Sequence, residues 1–162
     1  MPEAFYPPRA SFGQAVNDFF GRRPVPVQPF DFPHNVHVAL GTKCVECHAG
    51  VTRGPVAGIP GVKTCMTCHE YMGTEHPIIK ELAVLRDRGI DVSWQRVYGY
   101  AAQAHVRFNH APHIRSGVEC ATCHGAIDKQ TVAQRNVDLN MRFCVTCHQA
   151  RNAPTDCLTC HY

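Results

Sequence analysis

Cys44-Val45-Glu46-Cys47-His48, Cys65-Met66-Thr67-Cys68-His69, Cys120-Ala121-Thr122-Cys123-His124, Cys144-Val145-Thr146-Cys147-His148 and Cys157-Leu158-Thr159-Cys160-His161 are five copies of one pattern, C-x-x-C-H. They use all ten cysteines of the chain. C-x-x-C-H is the attachment signature of haem c. Two thiols add to the two vinyl groups of one porphyrin, and the next residue offers its imidazole to the iron as proximal ligand. Structural zinc would take two C-x-x-C knuckles per ion, which leaves one of five unpaired and gives no reason for a histidine after each. With 11 histidines in 162 positions, five such coincidences have a chance on the order of one in a million. A thioredoxin-like pair needs a βαβ setting that the sequence lacks, and disulfides between cysteines three apart are strained. The pattern predicts five covalently bound haems c.

Six histidines remain: His34, His37, His76, His105, His110 and His113. Each of five irons can receive one of them on its second face, with one to spare. Four fall in a repeated device, F-x-H-x-x-H, read from Phe32 to His37 and again from Phe108 to His113. In both copies the second histidine lies seven residues before the next motif cysteine, and a glycine, Gly41 or Gly117, lies three before it. The device marks an internal duplication, with one haem-binding unit over roughly 32–69 and another over roughly 108–148. Histidines three apart on a helical turn share a face. They cannot both bind one iron whose proximal site is filled, so they are expected to serve two different haems. For the fifth distal ligand His105 is preferred to His76, because it lies only five residues before His110. Methionine would raise a potential as distal ligand. Met66 sits inside a haem loop, however, and Met72 and Met141 are read as packing residues.

The expected fold is mostly α and irregular, a small multihaem cytochrome c with little or no β-sheet, in which porphyrins form much of the core. A content of 44% hydrophobic and 18% charged residues belongs to a folded chain rather than a disordered one. Twelve prolines and twelve glycines predict many turns. Pro77 to Arg88 reads as a helix with Ile78, Leu82 and Leu85 on one stripe and Gly89 past its end. Residues 1–30 read as an N-terminal extension with a short amphipathic helix over Ser11 to Phe20, and 31–162 as the haem-bearing domain. No run is long and apolar enough to span a membrane. Arg22-Arg23 lacks the apolar run of an export signal, although haem c is attached outside the cytoplasm. The expected location is therefore the periplasm or the extracytoplasmic face of the membrane.

The formal charge of +3 describes bare polypeptide. With a net −1 per ferric haem and its propionates, the oxidised holoprotein carries about −2 and the reduced form about −7. Neither supports a nucleic-acid partner.

Arg53 to Pro60 running into Cys65-Met66-Thr67-Cys68-His69, Trp94-Gln95-Arg96-Val97, the run Val106 to Asp128, and Asn140-Met141-Arg142-Phe143 before Cys144 carry a resemblance. Over roughly residues 30–161 the sequence resembles the pentahaem cytochrome subunit of the bacterial quinol-oxidising assembly called alternative complex III. The F-x-H-x-x-H device is shared more widely with class III multihaem cytochromes c. The resemblance implies a subunit on the outer membrane face, beside iron–sulfur and quinol-binding subunits, that relays electrons onward. It also implies that His34, His37, His110 and His113 are distal ligands. The family's histidine just after the Trp-x-Arg-Val stretch is Tyr98 here, and its amino-terminal membrane helix has no counterpart.

Electron relay is thus the expected function, as subunit or partner of a membrane respiratory or photosynthetic complex, exchanging electrons with iron–sulfur or quinol-oxidising subunits or a small cytochrome. Self-assembly into an extracellular cytochrome filament is the alternative, with the spare histidine serving a neighbouring copy. A multihaem reductase needs an iron with an open face, and every motif here ends in histidine with distal candidates in surplus.

Overall fold

The computed structural model describes residues 12–13, 26–100 and 102–162. The helix expected over Ser11 to Phe20 lies outside these, apart from Phe12 and Gly13, which are helical. Eight α-helices follow: α1 His34–Ala39, α2 Cys44–Cys47, α3 Val62–His69, α4 Pro77–Asp87, α5 His110–Arg115, α6 Cys120–His124, α7 Met141–Ala150 and α8 Cys157–Cys160. Three 3₁₀ turns, Ala49–Thr52, Ala102–Ala104 and Ile127–Lys129, join them. Among the described residues there is no strand, only an isolated antiparallel bridge between Val106 and His161. The protein is mostly helical and irregular, as expected. None of the described helices is long and apolar enough to cross a membrane.

Each C-x-x-C segment is one helical turn or the tail of a short helix. Helices this short are unstable in isolation, because the nucleating turn fixes several dihedrals for a single hydrogen bond. Local caps help. Asn109 Oδ1 accepts from Ala111 N–H, Asn140 Oδ1 from Phe143 N–H, and Asp156 Oδ1 from Thr159 N–H.

The apolar core is small. Among the described residues only Val62, Met66, Leu82 and Ala111 are buried hydrophobics. The first three form one cluster between α3 and α4, flanked by Phe30, Ile78, Leu85 and Val92. α4 starts at His76, whose Nδ1 accepts from Ile78 N–H, has Pro77 at its first position, and gives way to Gly89 at φ +66°. Asp91 then reaches back across the pair. Its Oδ1 accepts from Val62 N–H at 2.6 Å, capping α3 from a distant loop. A Cβ at Gly61 would meet that carboxylate, so a side chain there would displace the cap.

One expectation is corrected. Met66 is the packing methionine, 6% exposed, whereas Met72 and Met141 are 56% and 71% exposed. Val62 and Met66 are one helical turn apart and share the face that meets α4, with Cys65 packed at its edge. Residues inside a C-x-x-C-H turn can therefore serve the core.

Because so few side chains are buried, each should matter. Leu82→Ala is expected to lower unfolding stability by about 2–4 kcal/mol, and Asp91→Ala by about 1–2 kcal/mol through loss of the cap. Guanidinium titration of the holoprotein followed by far-UV circular dichroism measures both. A Leu82→Ala loss below about 0.5 kcal/mol would contradict this core.

Candidate redox centres

The two F-x-H-x-x-H segments fold alike. Phe32 meets His34 edge-on at 4.8 Å and 82°, and lies over His37 at 4.5 Å and 21°. Phe108 meets His110 at 4.7 Å and 85°, and His113 at 4.9 Å and 32°. In each copy the second histidine donates from Nδ1 to a carbonyl four residues back, His37 to Pro33 and His113 to Asn109. Each helix then ends on a glycine with positive φ, Gly41 at +92° and Gly117 at +71°. The phenylalanine thus fixes both imidazole planes, and the glycine turns the chain toward the next motif.

The second helix divides its two histidines between two motifs, and the first turns His37 to another. In the second unit His110 faces His124 with ring centres 6.4 Å apart and planes 9° from parallel. His113 faces His148 at 5.9 Å and 44°. In the first unit His37 faces His69 at 5.9 Å and 74°. Burial, and then the imidazoles of His48 and His37, push His34 below the ordinary imidazole value. Burial, and then His110 and His48, do the same to His124. Two imidazoles on opposite faces of one iron, each with a metal–nitrogen bond of about 2.0–2.1 Å, have ring centres about 6.3 Å apart. The observed spacings fit a haem iron with two histidine ligands.

Tautomers point the same way. A carbonyl can only accept, so an Nδ1 bonded to one carries a proton and leaves the Nε2 lone pair for a metal. His48 donates to Gly58 at 2.7 Å, His69 to Met72 at 2.9 Å, His148 to Pro154 at 2.6 Å and His161 to Ala104 at 2.9 Å. His110 donates to Pro55 at 2.7 Å. His76 is of the opposite kind. Its Nδ1 accepts from Ile78 N–H at 3.3 Å, so the neutral ring carries its proton on Nε2.

Backbone pairing carries His105 to the fifth motif. Tyr162 N–H donates to His105 C=O, and Arg107 N–H to Cys160 C=O. The His105 ring itself lies edge-on to Tyr162, 5.6 Å away, at a residue with φ +47°. Tyr98 is a strut. Its hydroxyl accepts from Asn136 and Val137 N–H while its ring edges onto His124 at 4.7 Å. Arg135 lies over the same phenol ring and pairs with Asp138 at 3.0 Å, while its Nη1 is buried without a protein partner. That one open donor suits a porphyrin propionate.

All ten cysteines are half-exposed or exposed.

Sequence reasoning missed the carbonyls of Pro55 and Gly58, the Tyr98 strut and the Arg135 cation. The first two carbonyls lie in a proline- and glycine-rich loop whose composition signals a turn. Its use as an imidazole acceptor depends on a contact 55 residues away.

Residues 106–162 match the family model of cytochrome c7 and related cytochrome c. This span contains one F-x-H-x-x-H device and three of the five motifs. Over 99 residues the chain is 35% identical to the protein named menaquinone reductase, multiheme cytochrome c subunit, of Nitratidesulfovibrio vulgaris (strain Hildenborough). That stretch is 60% of this chain and 45% of the relative, so the chain spans about half the relative's length. Residues 106–162 are thus similar to a cytochrome c7-like multihaem domain, a likeness that fits haem c binding and the carriage of electrons.

Proposed function

We propose that the chain carries five haems c and relays electrons outside the cytoplasm, within or beside a membrane assembly that exchanges electrons with a quinone pool. The observation that carries the reading is the division of the second F-x-H-x-x-H turn between His124 and His148, matched in the first turn by His37 facing His69, which ties neighbouring centres to one rigid element. Haem iron supplies one-electron chemistry at a potential set by its axial ligands. The polypeptide contributes position and electrostatics. The cysteines Cys44, Cys47, Cys65, Cys68, Cys120, Cys123, Cys144, Cys147, Cys157 and Cys160 would hold the porphyrins. His48, His69, His124, His148 and His161 would be proximal ligands, paired with His34, His37, His110, His113 and His105 respectively. His105 is preferred to His76 because His76 uses its Nδ1 as a helix cap, while backbone pairing holds His105 beside His161. Its ring has to turn away from Tyr162 to serve.

Neutral imidazoles with Nδ1 tied to carbonyls cost little reorganisation as charge comes and goes, which suits transfer rather than bond chemistry. Support for the quinone link comes from the name of the menaquinone reductase relative and from the resemblance to the pentahaem subunit of alternative complex III. These are different assemblies that share a quinone substrate and a multihaem subunit. The chemistry common to them is the part proposed here.

Mass spectrometry of the denatured holoprotein should give the 18.0 kDa chain plus five haems. Four or fewer would overturn the proposed count. In the dithionite-reduced protein His105→Ala should open one haem in five to carbon monoxide, read as a new Soret band, while His76→Ala should leave the spectrum unchanged. Carbon monoxide binding by the unsubstituted protein, or by His76→Ala alone, would contradict the fifth pair.

A further inference from the structure

We infer that the five centres stand in space in the order second, first, third, fourth, fifth, so that the chain's first motif is internal and its second is an end of the array. The inference rests on the five-haem reading proposed above and deepens it.

The central junction is a reciprocal exchange between the duplicated units. The loop that follows motif 1 holds the ligand helix of motif 3. Pro55 C=O accepts from His110 Nδ1 at 2.7 Å, and Gly54 C=O accepts from Ala111 N–H at 3.4 Å. The loop that follows motif 3 in turn holds the ligand helix of motif 1, because Gln130 C=O accepts from Asn35 N–H at 3.1 Å, next to His34. Each unit therefore steadies the other's distal histidine. Motifs 1 and 3 thus meet at one junction, where the 3₁₀ turn Ala49–Thr52 packs on α5 and the 3₁₀ turn Ile127–Lys129 packs on α1.

The two outward steps follow from the divided helices. His34 and His37 lie on one turn, so motifs 1 and 2 adjoin. His110 and His113 likewise join motifs 3 and 4. Motif 5 is tied to the residues just before α5 by the Val106–His161 bridge and the bond from Arg107 N–H to Cys160 C=O at 2.7 Å. Pro154, three residues before Cys157, accepts from His148 Nδ1 of motif 4 at 2.6 Å. At the opposite end, motif 2 is backed by α4 and the small apolar core, which close that side of the array.

Crystallography of the holoprotein with anomalous data at the iron edge tests this directly. The iron held by His48 should have two nearest iron neighbours, those held by His69 and His124, and the iron held by His69 should have one. An iron at His69 lying between those at His48 and His124, as chain order would have it, overturns the inference. The same maps separate the two readings. A missing iron or a non-histidine axial ligand counts against the five-haem assignment, while the sequence of the remaining irons still decides the order.

Discussion

Two imidazoles three residues apart on a single helical turn, pinned by one phenylalanine, have to face different proximal histidines. The rest of the molecule follows from that constraint. The turn is too short to be stable by itself, and its geometry is fixed instead by the ring contacts of Phe32 and Phe108 and by the i−4 carbonyl bonds of His37 and His113. A helix so built holds two redox groups at one separation, whatever the surrounding loops do. A chain with only four buried hydrophobics among its described residues gains its architecture from such ligand helices and from thioether anchors more than from a packed interior.

The reciprocal docking of the duplicated units shows how a small polypeptide obtains rigidity at low reorganisation cost. His37, His110 and His113 are each oriented by a backbone carbonyl, either their own helix's or the other unit's. Carbonyls neither titrate nor carry a net charge, so the ligand field stays constant as electrons pass. Asp91 and Gly61 play a similar part at the α3–α4 pair, where a distant carboxylate caps the helix bearing motif 2.

Much of this was legible in the sequence because covalent chemistry dictates spacing. The five motifs, the duplicated ligand device, the helix over Pro77–Asp87 and the lack of sheet all follow from local patterns. What was not legible depends on contacts far apart in the chain. Met66 was read as part of a haem loop, since the motif hides the i, i+4 stripe it forms with Val62. The His76 cap, the Tyr98 strut and the exchange of loops between units require knowledge of which backbone groups meet, and no local pattern encodes that. The side-by-side arrangement of motifs 1 and 3 is of the same kind: 76 residues separate Cys44 from Cys120.

Ligand-plane angles offer the most direct check on the central claim that each divided helix supplies two separate bis-histidine irons. The near-parallel planes of His110 and His124, at 9°, should give a rhombic low-spin ferric signal, and the near-perpendicular planes of His37 and His69, at 74°, a highly anisotropic one. Low-temperature electron paramagnetic resonance of the fully oxidised holoprotein should therefore contain both types, with low-spin iron accounting for at least four centres. A spectrum dominated by high-spin iron, or one with a single low-spin type, would contradict the account.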